Sequence, residues 1–376
     1  MPIKIIEELI AKKNNYELED KEFLNEQKKF TENFDYFVGT STGGLIAFCL
    51  AVNYNICHME KIYSDSKKYF KKNHLGPLFF SKYDPSVIHN QIDEIIDGLT
   101  FPGKKFVSRA SEHATLFDLR NLLNPNDVIR EEDIESAKAT HGNYLEFIDG
   151  DKPADTGDLT EETALHGVPR EKILLITAYN TTANTIEIFN TSYAEHWNYR
   201  IADVLKATMA APTYFPPHKV YRGTQKDGRF IPEDNPEIYV DGGIFANDPE
   251  VAALWAIRMQ WKKPVNYDLL CIGTGCYTST VSPSTWGGYM GWIFNQGFLV
   301  NTLLDATSCF TEMLGCNLAK FRNIRRMKLN YQLTKAMALD DPEFIRVFDE
   351  EWEEYLKDGD DFNAFVYFYD KYILKK

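Results

Sequence analysis

The hydrophobic positions of this chain fall into short apolar runs separated by longer amphipathic ones. Tyr36-Phe37-Val38 is a run of the strand type, and residues 45–52 are apolar on every face. Between them lies Gly39-Thr40-Ser41-Thr42-Gly43-Gly44. This order predicts a buried strand, a sharp turn and a buried helix over about residues 42–52. Downstream, residues 172–178 and 185–190 predict two strands, joined as a hairpin around 180–184. Residues 201–211 predict a helix stopped by Pro212. Residues 238–240 predict a strand and 249–261 a helix. Residues 1–13, 59–72, 344–356 and 362–374 read as further helices, with a polar connection from the first of them to about Asn33. Strands that alternate with helices predict an α/β fold around a largely parallel sheet.

Two regions break the pattern. Residues 131–162 hold eleven acidic residues and two lysines, within a Gly- and Pro-containing stretch over 121–170. That composition reads as a solvated insertion, either a plain surface excursion or an active-site lid. Beyond residue 283 the chain turns aromatic, with Trp286, Tyr289, Met290, Trp292, Ile293, Phe294 and Phe298 close together. This stretch suits a packed core, an acyl-chain pocket or contact with a membrane surface. Arg322, Arg325, Arg326 and Lys328 read as a solvated basic helix face, also able to steer phosphate headgroups. The expected organisation is one domain over 1–330 carrying the acidic insertion, with 331–376 as a helical extension packed on it.

The chemistry starts at the turn. Gly39-Thr40-Ser41-Thr42-Gly43 has the G-x-S-x-G form of a nucleophile elbow, where a serine stands at a strand end before a helix N-terminus. The glycines are expected to let strand and helix approach closely. A serine hydroxyl needs a base beside it. Asp241 follows the strand at 238–240 and precedes Gly242 and Gly243, so it projects from a strand end, where open α/β sheets place their ligand crevice. The plain alternative is an Asp-Gly turn. The chain has eight histidines, the last being His218, so none follows Asp241. An Asp203–His218 pair would formally complete a Ser-Asp-His order, but His218 lies in Pro216-Pro217-His218-Lys219, which reads as a proline-fixed loop. A Ser41–Asp241 dyad is the simpler reading, with burial raising the carboxylate toward a useful pKa.

Gly39-Thr40-Ser41-Thr42-Gly43-Gly44 and Asp241-Gly242-Gly243 resemble the paired motifs of the patatin-like phospholipase family. Residues 207–217, Ala-Thr-Met-Ala-Ala-Pro-Thr-Tyr-Phe-Pro-Pro, are similar to that family's helix-to-loop segment, and 269–275 to its late core strand. The resemblance spans roughly residues 1–330. It implies a three-layer α/β/α fold with a mainly parallel central sheet. It also implies a lipid acyl hydrolase with Ser41 as nucleophile and Asp241 as base, acting on phospholipid or other acyl-lipid esters without metal or other cofactor. The family's opening strand and its glycine-rich oxyanion loop have no counterpart before Gly39, and residues 1–12 resemble the helix that follows that loop. On that basis a first core strand is expected to be missing, and a catalytically impaired lipid-binding or regulatory protein is the alternative function.

Charge and cysteine content narrow the setting. The net charge of −14 argues against nucleic acid as a partner. The apolar run at 45–52 is far shorter than the roughly 18 residues of a spanning helix. Cys49, Cys57, Cys271, Cys276, Cys309 and Cys316 form no metal-ligand spacing and read as reduced, in a cytoplasmic protein that works peripherally on membranes.

Overall fold

The computed structural model describes residues 2–14, 20–59, 81–140, 171–260, 266–275, 298–318, 320, 324–334 and 344–374. Its centre is a mixed sheet. Strand β1 (Tyr36–Thr40) runs straight into helix α3 (Thr42–Ala51). Strand β2 (Ile173–Asn180) is buried at every position but Tyr179, as a central strand covered on both faces must be. Strand β3 (Thr185–Asn190) returns antiparallel to it through the expected hairpin. Farther along come β4 (His218–Val220), a small hairpin of β5 (Gly223–Lys226) and β6 (Arg229–Pro232), and β7 (Glu237–Asp241).

Side chains alternate across β2 and fill two different cores. Leu174, Ile176 and Ala178 belong to the main buried cluster with α3 and with helix α8 (Ile201–Thr208). Ile173 and Leu175 face the other way, onto Ala253, Ala256 and Ile257 of helix α10 (Glu250–Gln260). A sheet with helices on both faces is the three-layer α/β/α arrangement. The parallel pairings among the described strands are β1 with β2 and, in a separate two-stranded sheet, β8 (Tyr267–Ile272) with β9 (Ile324–Leu329). β3, β4 and β7 pair antiparallel, so the sheet is more mixed than the alternation of strands and helices suggests.

The register of β2 places the site. Its residues Thr177 and Ala178 pair with Ile188 and Glu187 of β3 on one edge. On the opposite edge Thr177 pairs with Thr40 and Ala178 with Asp241. The C-terminal ends of β1 and β7 therefore meet end to end along one side of β2.

Four further findings revise the sequence reading. The stretch before Asn33 holds a second helix, α2 (Asp20–Thr31), after α1 (Pro2–Asn14). Helix α4 (Ser86–Asp97), amphipathic with Ile92, Ile95 and Ile96 buried, went unread in the sequence. The basic residues Arg325, Arg326 and Lys328 lie on strand β9, not on a helix, and they are ion-paired: Arg325 with Asp268, Arg326 with Glu250 and Glu312, Lys328 with Asp248 and Glu312. His218 opens a strand instead of sitting in a loop.

The acidic excursion leaves and returns at one anchored point. After helices α5 (Ala110–His113) and α6 (Leu116–Leu123), Asn124 exchanges hydrogen bonds with Lys172, accepting at 2.8 Å and donating at 3.1 Å. The buried Arg120 guanidinium binds Glu171 at 2.9 Å and also Asp127. Its first part forms helix α7 (Ile134–Thr140). Residues 141–170, the helix expected at 59–72 beyond Met59, and most of the aromatic stretch at 286–298 lie outside the described residues. Helices α12 (Phe344–Asp358) and α13 (Asp360–Phe368) bring Phe348, Trp352, Phe362 and Phe365 into the same buried cluster as Ile5 and Leu9 of α1.

Candidate active site

Ser41 is the residue between β1 and α3, and its backbone is strained. Its φ of 55° and ψ of −129° lie where non-glycine residues seldom stand. The turn is tight because Gly39 has no side chain: a Cβ there would sit 2.2 Å from the Gly43 carbonyl oxygen. Gly43 itself has open space at the corresponding position, so the close approach rests on Gly39. Thr40 is buried and bonds across the sheet, at 2.7 Å to the Thr177 hydroxyl and 2.6 Å to the Ala246 carbonyl. The Gly44 amide closes the first turn of α3 by donating to the Ser41 carbonyl at 2.9 Å. The amides of Thr42 and Gly43 open that helix, ahead of the first donor that finds an intrahelical acceptor.

Asp241 is the last residue of β7 and is buried. Gly242 follows against β2 so closely that a Cβ would meet the Thr177 hydroxyl at 2.2 Å. The turn bends the chain into helix α9 (Gly243–Ala246), and the Gly243 amide donates to Asp241 Oδ1 at 2.7 Å. The Ser41 hydroxyl lies near enough to this carboxylate to lower its pKa. Burial pushes the Asp241 pKa up to about 6, and the bonds from Ser41 and Gly243 pull it only part of the way back. Among the described residues no cation takes part in that balance. The carboxylate is therefore ionised near neutrality yet basic enough to take a proton.

Asp203 and His218 do meet, at 3.1 Å, but Asp203 is also bound by Arg200 at 2.8 Å. The one cluster with metal-ligand spacing among the described residues is Asp248, Glu250 and Glu312, and Arg326 and Lys328 occupy its carboxylates.

One group in the site escaped the sequence reading. Thr208, fully buried at the end of α8, accepts the Ser41 backbone N–H at 2.8 Å. It lies within the 207–217 segment, but nothing in that string distinguishes a hydroxyl that packs from one that accepts an amide.

A model of the patatin-like phospholipase family matches residues 18–254, which include both Ser41 and Asp241. The chain belongs to the patatin-like phospholipase family. It is similar to patatin-like protein 4 of Arabidopsis thaliana, 29% identical over 127 residues that cover 29% of each chain. It is also similar to patatin-like protein 2 of Oryza sativa subsp. indica, 26% identical over 70% of this chain and 50% of that one. Patatin-like protein 1 of Arabidopsis thaliana is 23% identical over 76% of this chain and 60% of its own length. The chain thus spans from under a third to somewhat over half of the curated patatin-like relatives it matches.

Proposed function

We propose that this patatin-like chain hydrolyses fatty-acyl esters of lipids, with Ser41 as the nucleophile and Asp241 as the general base. The observation that carries the reading is the register of β2, which brings the Ser41 turn beside a buried Asp241 carboxyl held at about 6. Asp241 takes the hydroxyl proton as Ser41 Oγ attacks the ester carbonyl. The proton then passes to the departing alcohol, leaving an acyl-enzyme on Ser41. Asp241 next activates a water, which releases the fatty acid and restores the serine. The Thr42 and Gly43 amides at the start of α3 supply oxyanion donors, helped by the positive end of the helix.

A lipid substrate also suits the surface beside the dyad. Helix α11 (Phe298–Leu318) packs on α9, with Asn247 bonded to Ser308 at 2.8 Å. Its outer side presents Leu303, Phe310 and Met313, each about half exposed. The helix carries only two charged residues, Asp305 and Glu312. Among the described residues no helix is long and apolar enough to cross a membrane. An apolar face mounted on the Asp241 turn favours work at a lipid surface, with the protein bound peripherally.

The test is labelling with a fluorophosphonate probe, with ester turnover alongside. The expected result is labelling of the native chain that Ser41→Ala abolishes, together with release of fatty acid from a short-chain ester. Labelling that survives Ser41→Ala sinks the nucleophile assignment. A folded, unlabelled native chain that still binds phosphatidylcholine vesicles would mean lipid binding without hydrolysis.

A further inference from the structure

The segment after α8 touches both members of the dyad. The Thr208 hydroxyl accepts the Ser41 N–H at 2.8 Å, and two residues later the Ala210 carbonyl accepts the Asp241 N–H at 3.0 Å. The segment between these two atoms is itself tied down. The Ala210 amide donates to Ala207 at 3.2 Å, the Ala211 amide to Met209 at 2.9 Å, and the Tyr214 and Phe215 amides to Ala211 at 3.1 and 2.9 Å. Met209 and Ala210 are buried, and Pro212 with Thr213, at φ 71°, turns the chain away.

We propose that the Thr208–Ala210 turn is a positioning clamp that fixes the spacing of Ser41 and Asp241, with the Thr208 hydroxyl as the acceptor that holds the nucleophile's backbone in place. The proposal rests on the Ser41–Asp241 reading. The physical need is specific. At φ 55° and ψ −129°, Ser41 sits between a strand and a helix. Its N–H takes a side-chain acceptor, and Thr208 is the one that is there. Strained conformations persist only where the surroundings over-determine them. Threonine suits the task because its β-branch restricts χ1, so the hydroxyl stays aimed once the methyl is packed. That methyl faces Gly44, 3.2 Å from where a Cβ there would be. Thr208 touches no substrate and moves no proton. It acts through the placement of Ser41, and the Ala210 carbonyl gives Asp241 the same reference frame.

The experiment compares Thr208→Val, Thr208→Ala and Thr208→Ser in the full chain, on a soluble short-chain ester and with a fluorophosphonate probe. Val keeps the shape and loses the acceptor, Ala loses both, and Ser keeps the acceptor. Misplacing a reacting group by about 1 Å costs on the order of 10²-fold. The expected result is therefore a drop of about 10²-fold in kcat and labelling rate for Val and Ala, with KM unchanged, and Ser within about threefold of the native chain. The acid limb of the pH profile should also move up in Val and Ala, because the Ser41 hydroxyl helps hold the Asp241 pKa down. Circular dichroism and Tm identify a variant that has not folded, and Ala reports if Val fails. Three outcomes overturn the clamp: folded Val and Ala that label at the native rate, Ser falling as far as Val, or losses that track the unfolded fraction with an unmoved pH limb. A native chain that does not label sinks the dyad reading and the clamp with it, whereas normal native labelling with equal labelling in Val sinks the clamp alone.

Discussion

Asp241 and Glu312 are carboxylates on neighbouring elements, since α9 after Asp241 packs against α11, which carries Glu312. Their surroundings send them in opposite directions. At Asp241, burial dominates, and the opposing partners are one hydroxyl and one amide, so the pKa rises to about 6. At Glu312, burial also pushes upward, but hydrogen bonds from Arg326 and Lys328 outweigh it and hold the carboxyl down at about 2. The difference teaches what makes a base. Burial alone raises a carboxylate, and a cation within reach cancels the gain. Among the described residues Arg and Lys side chains pair with carboxylates such as Glu312, Asp203 and Glu171, and none of them contributes to the pKa of Asp241.

The largest break in that comparison is to remove the dyad's charge. Asp241→Asn should lower kcat on a soluble ester by on the order of 10³-fold, within the range a positioned general base contributes. The same change should stabilise the protein at pH 8. The raised pKa means that the native state binds a proton between roughly 3.8 and 6 that the unfolded state has lost. Stability therefore falls as pH rises through that window, and the ionised carboxylate costs on the order of 3 kcal/mol above it. Chemical denaturation at pH 8 and pH 4 checks this: the gain from Asn should be present at the first and nearly absent at the second. Equal stabilities at both would contradict the buried, unpaired state of Asp241.

The glycines of the elbow offer a second contrast. Gly39→Ala drives a methyl onto the Gly43 carbonyl, whereas Gly43→Ala meets no atom within 4 Å. Gly39→Ala should destabilise by about 3 kcal/mol, in the upper range for overpacking, and should lose labelling as the elbow opens. Gly43→Ala should fold with a Tm close to the native one. The pair is decided by thermal melts run side by side, and equal losses would mean that Gly43 carries a packing role that the geometry does not show.

The pH profile sharpens the comparison with a smaller effect. Below about pH 6 the log of kcat/KM should fall by one unit per pH unit as Asp241 takes up its proton. A limb near 4 would show that the carboxylate sits in a wetter or more cationic site than the one described. His218→Ala should leave that limb in place, because His218 is engaged with Asp203 and takes no part in setting the Asp241 pKa.

Much of this was legible in the sequence, for local reasons. The elbow and the Asp-Gly-Gly turn are each a polar residue between an apolar strand and glycines, so a few adjacent positions reveal them. The helices at α3, α8, α10 and α12 carry strong apolar patterns and came out within a few residues. What was not legible depends on register. No string of residues shows that Thr177 and Ala178 of β2 align β1 and β7 end to end, because those pairings join residues 137 and 63 positions apart in the chain. The basic residues of β9 misled because Arg325, Arg326 and Lys328 look solvated in sequence, while their partners Asp268, Glu250, Glu312 and Asp248 come from other elements. α2 was missed because its apolar positions, Phe23 and Phe30 among them, are sparse in a charged stretch.

The smallest expected effect lies on the other arm of the comparison. Glu312→Gln removes the acceptor shared by Arg326 and Lys328 but leaves Arg326 on Glu250 and Lys328 on Asp248. Glu312 has a depressed pKa, so its contribution is present above about 4.5 and is lost as pH falls through about 2, the reverse of Asp241. The side chain is 43% exposed, so solvent screens the pair and the loss should be only about 1 kcal/mol at pH 7, shrinking in high salt. Turnover on a soluble ester should stay within about twofold, because the network holds α10, α11 and β9 together and contributes nothing to the charge balance at Asp241. Denaturant titrations at pH 7 with and without 0.5 M salt, next to a single kcat measurement, decide it. A tenfold loss of turnover with unchanged stability would mean that the β9 network reaches the dyad after all, and the separation of the two carboxylate environments would fall.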